Sequence, residues 1–128
     1  MRRSPAPREL PPPLEIECLK SLWRLGESSV RRVQEEMATR RPLAYTTVMT
    51  LLERLLKRGR VARRKQGRTF LYTPLISQTE MRRLAIDELL NLHFDGSHDE
   101  LRGYLTGREP DPALESADPE PRLDASLL

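Results

Sequence analysis

Cysteine is almost absent from the sequence, and so are long apolar runs. The single cysteine among the 128 residues is Cys18, which excludes an internal disulfide framework and a zinc site built from several cysteines. No apolar run is longer than three residues, which excludes a membrane-spanning helix and predicts a cytoplasmic protein. The sequence also lacks a glycine-rich phosphate loop and a nucleophile beside a general base. These absences argue against an enzyme, and we expect no catalytic residue, metal or cofactor.

Proline is scarce in the middle of the chain and abundant towards both ends. Of the eleven prolines, five lie in residues 1–13 and four in residues 110–121. Residues 108–128 also carry six acidic groups and no aromatic residue, a composition that buries too little surface to fold. We therefore predict a disordered arm over residues 1–13, an ordered region over 14–107 and a disordered acidic, proline-rich tail over 108–128.

Acidic residues are few in the first part of the chain, and basic residues are few in the rest. Residues 1–76 contain 17 Lys and Arg against 7 Asp and Glu, a net charge of +10. Residues 77–128 contain 5 against 12, a net charge of −7. The overall charge of +3 therefore averages two opposite segments. A basic segment joined to an acidic one suggests a polyanion-binding module followed by a region with a different role.

Hydrophobic periodicity and capping residues predict three helices in the basic segment. The first covers Leu14–Leu25 and ends at Gly26, and the second begins after the N-cap residue Ser29. The third covers about Tyr45–Arg58 and ends at Gly59. Its inward face consists of Val48, Leu51, Leu52 and Leu55. Its outward face carries Thr46, Thr47, Thr50, Glu53, Arg54 and Lys57.

Two short strands and two further helices complete the predicted ordered region. The strands lie between Val61 and Pro74 and turn at Gln66-Gly67. A capping box that begins at Ser77 opens a fourth helix, and Ser97 caps a fifth. Three helices followed by a hairpin describe a winged helix. We therefore predict a mainly α (α+β) fold, with a winged helix-turn-helix domain over residues 14–76 and a helical region over 77–107.

One stripe of the fourth helix is more apolar than a lone surface helix requires. It consists of Met81, Leu84, Ala85, Leu89 and Leu92. The stripe either packs back on the winged helix or pairs with its copy in a second chain. Because large exposed apolar faces usually mark a partner, we favour a symmetric homodimer with C-terminal dimerisation helices.

Acidic residues are missing from residues 54–68, a segment that contains eight Lys and Arg residues. A surface that is merely solvated usually mixes both signs of charge. This run instead covers the end of the third helix and the hairpin, the two parts of a winged helix that meet DNA. Each phosphate contact there would release counterions. We predict a double-stranded DNA interface whose backbone and wing contacts come from Arg31, Arg41, Arg54, Arg63, Lys65 and Arg68.

The third helix begins with short hydroxyl side chains, which are able to contact the edges of DNA bases. Threonine has a low helix propensity, so three threonines within five positions lower the stability of the helix. Their presence there suggests that they have a function. In helix-turn-helix proteins the N-terminal residues of the recognition helix reach base edges. We predict base readout by Tyr45, Thr46, Thr47 and Thr50, against the alternative that the threonines only fill an exposed face. Tyr45 could equally contact the sugar–phosphate backbone or cover the helix start.

The two histidines and the single cysteine are residue types that often bind metals, but their positions here predict structural roles. His93 and His98 lie on either side of a predicted helix break, with Asp95 and Asp99 nearby. This spacing matches no familiar structural zinc pattern, so we interpret the group as a surface capping region and not as a metal site. Cys18 falls within the apolar stripe of the first helix and is predicted to be a small core residue.

Five segments of the sequence form a recognisable pattern: Leu14–Trp23, Ser29–Val33, Pro42–Val48, Leu55–Gly59 and Gly67–Pro74. In these segments the sequence resembles the penicillinase-repressor family, the bacterial repressors of β-lactamase and methicillin-resistance genes and their relatives. The match extends over about residues 14–105, and Leu43-Ala-Tyr-Thr-Thr-Val48 is its most specific part.

The resemblance implies a dimeric winged-helix repressor on a palindromic operator, with a dimer interface in the C-terminal helices. It also implies a membrane-bound sensor metalloprotease as a partner, whose cleavage of the dimerisation helices lifts repression. The equivalent cleavage region falls near Asn91–Phe94. Copper-responsive relatives carry a C-terminal cysteine cluster, which this chain lacks, so we do not expect copper sensing.

Together these patterns predict a sequence-specific transcriptional repressor that binds operator DNA as a homodimer. Two other functions remain open. One is a winged-helix scaffold whose basic residues bind an acidic protein, and the other is a nucleoid-type protein that binds DNA without sequence preference. A discrete complex with DNA from upstream of the protein's own gene separates repressor from scaffold, and a protected palindrome separates repressor from nucleoid protein.

Overall fold

The computed structural model describes residues 9–107. These residues form two compact units, of which the first ends at Ile86 and the second begins at Asp87. The predicted tail over 108–128 and residues 1–8 of the predicted arm lie outside the described residues. In chain order the elements are α1 (Pro13–Leu25), β1 (Ser28–Ser29), α2 (Val30–Met37), α3 (Tyr45–Lys57), β2 (Val61–Gln66), β3 (Thr69–Pro74), α4 (Gln78–His93) and α5 (His98–Thr106).

The first unit is built around one hydrophobic core, to which α1, α2, α3 and the sheet all contribute. The predicted inward face of α3 is confirmed, since its four apolar residues are buried in this core. Each such leucine contributes about 1.5–3 kcal/mol when it is withdrawn from water. The buried core residues are Cys18, Leu19, Leu22, Val30, Val33, Met37, Val48, Leu51, Leu52, Leu55, Val61, Tyr72, Ile76 and Met81.

A three-stranded antiparallel sheet completes the first unit, with the strand order β1-β3-β2. The predicted hairpin is confirmed, and its turn contains Gly67 at a φ of +64°, a left-handed conformation that favours glycine. The two-residue strand β1 was not predicted, because two residues are too few to show an alternating pattern. In β1, Ser28 is buried and pairs with Tyr72. Three helices followed by this sheet confirm the winged helix-turn-helix fold.

Side-chain caps begin three of the helices where the sequence predicted them. The Oγ atoms of Ser29, Ser77 and Ser97 accept hydrogen bonds from backbone N–H groups three residues later, at 3.2, 3.0 and 3.1 Å. Each such cap stabilises a helix by about 1 kcal/mol. Helix α3 differs, because its N-cap residue is Ala44 and no side chain caps its first turn.

A polar network fixes α2 against α1. The Glu36 carboxylate accepts hydrogen bonds from Ser21, Arg24 and Arg40. Burial acts to raise the pKa of Glu36, but these three hydrogen bonds outweigh it and hold the pKa below its ordinary value. Arg40 also donates to Glu17, at 3.1 Å. The first two helices are therefore joined by charges as well as by their apolar faces.

Cys18 is fully buried in the core, as predicted. Its Sγ donates to the Sδ of Met37 at 3.6 Å, which places the thiol at the contact between α1 and α2. Burial raises the pKa of this thiol to about 12, and the nearby carboxylates of Glu15 and Glu17 act in the same direction.

The second unit consists of the last two turns of α4 and the helix α5. Leu90 is its buried leucine, and the rings of Phe94 and Tyr104 meet with their centroids 5.8 Å apart. The chain reverses between the two helices through Asp95 and Gly96, both at positive φ. Much apolar surface remains outside, because Leu89, Leu92, Tyr104 and Leu105 are exposed.

Candidate nucleic-acid interface

Helix α3 presents a polar face to solvent along its whole length. Its inward residues recur every three to four positions, so the remaining side chains point away from the core. The predicted outward residues, Thr46, Thr47, Thr50, Glu53, Arg54 and Lys57, are all exposed. Tyr45, in the first turn, is 43% exposed and can therefore reach a partner. The structure thus leaves all four predicted base-reading residues accessible on one helix.

The connection between α2 and α3 is fixed by a side-chain to backbone contact. The Nε2 of Gln34 donates to the carbonyl oxygen of Leu43 at 3.1 Å. Leu43 packs against the core just before α3 begins. Arg31, in the first turn of α2, and Arg41, in the connection, are both exposed. The connection between the two helices is therefore fixed, and both of these arginines, which are predicted to contact the DNA backbone, lie at the surface.

The hairpin β2–β3, here called the wing, sorts its basic residues onto two faces. Directly paired residues share a face of an antiparallel ladder, and the register pairs Arg63 with Tyr72 and Lys65 with Phe70. Arg64 pairs with Leu71 and lies on the opposite face. The predicted wing residues Arg63 and Lys65 therefore project from the same side. The third, Arg68, lies exposed beside the turn at the tip.

Arg64 is held by a carboxylate from outside the wing. Its Nε and Nη2 donate to the two carboxylate oxygens of Glu27 at 2.7 and 2.8 Å. The hydroxyl of Thr73 donates to the same carboxylate at 3.3 Å. The hydrogen bond from Arg64 holds the pKa of Glu27 below its ordinary value. This contact ties the outer face of the wing to the segment between α1 and β1.

Two further members of the basic run of residues 54–68 have partners within the first unit. The Nη1 of Arg58 lies 3.6 Å from Oε1 of Glu15, a carboxylate that is 1% exposed. The Nη2 of Arg60 donates to the backbone carbonyl of Glu9 at 2.7 Å. These arginines and Arg64 therefore have structural contacts, which the sequence run did not distinguish from the other basic residues.

The six arginine and lysine residues predicted to hold the DNA backbone differ from these three. Within residues 9–107, none of the six forms a salt bridge with an acidic side chain. All six are exposed, on α2, on α3, in the connection between them and on the wing. Unneutralised cations on a helix-turn-helix and its wing form a surface that attracts a polyanion.

Three exposed residues of this surface were not among the predicted sites. Lys57 follows Thr46, Thr50 and Glu53 along the centre of the outward face of α3, a position that helical periodicity identifies. Glu53 is the acidic residue of that face. Phe70 on the wing is 40% exposed and lies against Arg63, whose guanidinium carbon is 4.2 Å from the ring centroid. Only the strand register reveals the contact between Arg63 and Phe70.

The residues of the predicted dimerisation stripe on α4 differ in their exposure to solvent. Met81 is buried in the core of the first unit, and Leu84 packs against that core. Ala85 is half-buried. Leu89 and Leu92, in the second unit, are 37% and 68% exposed. The stripe therefore offers free apolar surface at its C-terminal end, whereas its N-terminal end is used within the chain.

Neither a metal cluster nor a membrane-spanning segment is present in the part of the chain that the structure describes. Over residues 9–107, no three His, Cys, Asp or Glu side chains come together as a group that could hold a metal ion. No helix in that range is both long and apolar enough to cross a membrane. His93 and His98 are both exposed.

The fold and this surface define the class as a winged helix-turn-helix protein. Within that class, the chain belongs to the penicillinase repressor family, whose model matches residues 12–110. The DNA-binding domain of the repressor BlaI has a similar structure, with a TM-score of 0.52 and 28% sequence identity over 59% of this chain and 92% of that domain. The expected family membership is therefore confirmed.

Curated relatives are similar over the same region. The transcriptional regulator BlaI of Mycobacterium tuberculosis is 38% identical over 86 residues, which cover 66% of this chain and 62% of that protein. The penicillinase repressor of Bacillus licheniformis is 29% identical over 83 residues, which cover 65% of each chain. The alignments thus span slightly less than two thirds of the length of these relatives.

Proposed function

We propose that this protein is a transcriptional repressor that binds operator DNA sequence-specifically as a homodimer. The observation that carries the proposal is the exposed face of α3, where threonines precede basic side chains, together with the exposed cations of the wing. Within residues 9–107, no salt bridge is formed by Arg54, Lys57, Arg63, Lys65 or Arg68. Membership of a family whose curated relatives are repressors and transcriptional regulators supports it. The chain has a surface for a polyanion and, in the threonines, side chains able to distinguish bases.

In the proposed interface, one set of residues contacts the bases and another contacts the phosphates. Thr46, Thr47 and Thr50, with Tyr45, would lie in the major groove, where hydroxyl groups and methyl groups meet base edges. Arg54 on α3, the wing residues Arg63, Lys65 and Arg68, and Arg31 and Arg41 would contact phosphates. Such contacts fix the register of the protein on the duplex without themselves selecting a sequence.

The homodimer is proposed to form through the second unit. Four exposed apolar residues, Leu89, Leu92, Tyr104 and Leu105, lie within 17 positions of α4 and α5. A twofold dimer would place two recognition helices on the two halves of a palindromic operator. Leu92→Glu should shift the chain from dimer to monomer in sedimentation equilibrium, whereas the exposed Asp87→Asn on the same helix should not. An unchanged mass for Leu92→Glu would argue against this interface.

Relief of repression by proteolysis is a further part of the proposal. Asn91 and His93 are exposed at the end of α4, on either side of the proposed dimer contact Leu92. The partner would be a membrane-bound sensor metalloprotease that responds to β-lactam or to another signal. Cells exposed to the inducer should accumulate a shortened chain on immunoblots, with a new terminus near Asn91–Phe94. An intact chain during induction would contradict this part of the proposal.

The deciding experiment compares specific with random DNA. In a gel-shift assay at physiological salt, the full chain should form a discrete complex with the DNA upstream of its own gene and bind a shuffled sequence of equal length much more weakly. Footprinting should then show a protected palindrome. No complex on either DNA would favour the protein-binding scaffold, and equal binding without a protected palindrome would favour the nucleoid-type protein.

A further inference from the structure

Phe70 is an aromatic residue that the fold does not use in its core. Phe70 lies towards the tip of the wing and is 40% exposed, whereas Tyr72, two residues further along the same face, is 1% exposed. The guanidinium of Arg63 covers the ring at 4.2 Å from its centroid. The ladder register brings them together, because Arg63 pairs with Tyr72 and Phe70 is its diagonal neighbour on the same face.

Stacking on a ring occupies one face of a guanidinium and leaves its edge available. The five N–H donors of arginine lie in the guanidinium plane, so a stacked arginine can still donate two parallel hydrogen bonds to a phosphate. The stacking also restricts the rotamers that an exposed arginine would otherwise sample, which lowers the entropy cost of making that contact. Arg63 is without a salt bridge in residues 9–107, so no acidic side chain competes for its edge.

We propose that Phe70 is a positioning residue, which holds Arg63 ready to bind a backbone phosphate of double-stranded DNA. The inference rests on the DNA-binding function proposed above and adds to it a residue that carries no charge. Insertion of Phe70 between the base steps of a duplex would require the DNA to unstack and kink, whereas a phosphate contact by Arg63 requires no such deformation. The neighbouring Arg64 provides the contrast, because it lies on the other face of the wing and is fixed by Glu27.

The test is a double-mutant cycle on Arg63 and Phe70 with a fluorescein-labelled duplex of mixed sequence, since a phosphate contact is independent of sequence. Binding is followed by fluorescence anisotropy at constant salt. Phe70→Leu should weaken binding about 2- to 5-fold. Phe70→Tyr keeps the ring and should bind like the unmodified chain. Arg63→Ala should weaken binding about 10-fold, and adding Phe70→Leu to Arg63→Ala should cause no further loss.

Two results would overturn the inference. If Phe70→Leu binds as tightly as the unmodified chain, the ring has no positioning role. If it weakens binding equally with and without Arg63, the ring acts by direct contact or through the fold. Thermal melting of Arg63→Ala and the double variant, followed by circular dichroism, checks that both are folded at the temperature of the binding assay. The effect of Phe70→Leu in the absence of Arg63 is then not caused by unfolding. Failure of the unmodified chain to bind any duplex, including the upstream DNA, would overturn the proposed function as well, whereas zero coupling in a chain that binds overturns this inference alone.

Discussion

The carboxylate of Glu27 binds the guanidinium of Arg64 through two hydrogen bonds, at 2.7 and 2.8 Å. Glu27 lies between α1 and β1, and Arg64 lies on β2, 37 residues later in the chain. A bidentate pair of this kind fixes orientation as well as distance. Arg64, a member of the basic run of residues 54–68, therefore anchors the wing to the segment between α1 and β1.

This pairing predicts that two arginines of the wing differ in their effect on DNA binding. Arg68→Ala should weaken binding to every sequence and lower the slope of log K against log salt by about 0.9, because one phosphate contact is lost. Arg64→Ala should leave the salt slope unchanged, since Glu27 already neutralises that charge. Titrations of both variants at several salt concentrations check this, and equal changes in slope would contradict it.

The threonines of α3 should act on specificity more than on affinity. Thr47→Ala and Thr50→Ala should lower the preference for operator over random DNA by about 1 kcal/mol or more each, through lost base contacts. Their affinity for random DNA should stay close to that of the unmodified chain. Parallel measurements on both DNAs decide the matter, with Arg68→Ala as the variant expected to lose affinity for both equally.

Glu36 should make stability depend on acid. Its pKa is held below the ordinary value of 4.5, so its stabilising contribution is complete above that pH and is lost as the pH falls through the lowered pKa. Glu36→Gln should therefore lower the free energy of unfolding by about 1–2 kcal/mol at neutral pH, and the difference should shrink in more acidic solution. Urea unfolding over a pH series measures it.

The neighbouring residue Glu35 supplies the control for that series. It is exposed on the same helix and has no salt bridge within residues 9–107. Glu35→Gln removes the same charge without breaking a salt bridge, so at neutral pH it should change the unfolding free energy much less than Glu36→Gln does. A gap between Glu36→Gln and the unmodified chain that stays constant down to acidic pH would show that the network does not stabilise through the ionised carboxylate.

Cys18 should be unreactive in the folded protein. With its pKa raised to about 12 by burial, only about one thiol in ten thousand is ionised at pH 8, and the side chain has no access to solvent. Ellman's reagent should react with it slowly in buffer and completely within the mixing time in guanidinium chloride. Rapid modification of the native chain would show that α1 and α2 separate readily.

Much of the fold could be predicted from sequence because its signals are local. The serine caps, the glycine at the wing turn and the spacing of apolar residues on α3 each act within a few positions. Strand β1 escaped because its two residues form a strand only by pairing with β3, which is more than 40 positions away in sequence. The role of Met81 escaped for a similar reason, since periodicity shows that a helix face is apolar but not which surface covers it.

The sequence predicted the position of the candidate site from its charge, but not which of its side chains contact one another or other parts of the fold. A run of basic residues identifies a surface, yet Arg58 and Arg64 differ from Arg63 and Lys65 only through partners elsewhere in the fold, Glu15 and Glu27. Strand register decides which neighbours share a face, and it depends on long-range pairing. For that reason nothing in the sequence indicated that Phe70 contacts Arg63.

Strand β1 leads directly into α2, so the same few residues join the wing and the helix-turn-helix through main-chain hydrogen bonds. Main-chain pairing does not depend on which side chains the wing carries. Exposed positions towards the tip, such as Lys65 and Arg68, can therefore be exchanged while the base of the hairpin keeps its alignment with α2. Substitutions at the tip of the wing can therefore change the number of basic side chains facing the DNA backbone without moving the helix that is proposed to read the bases.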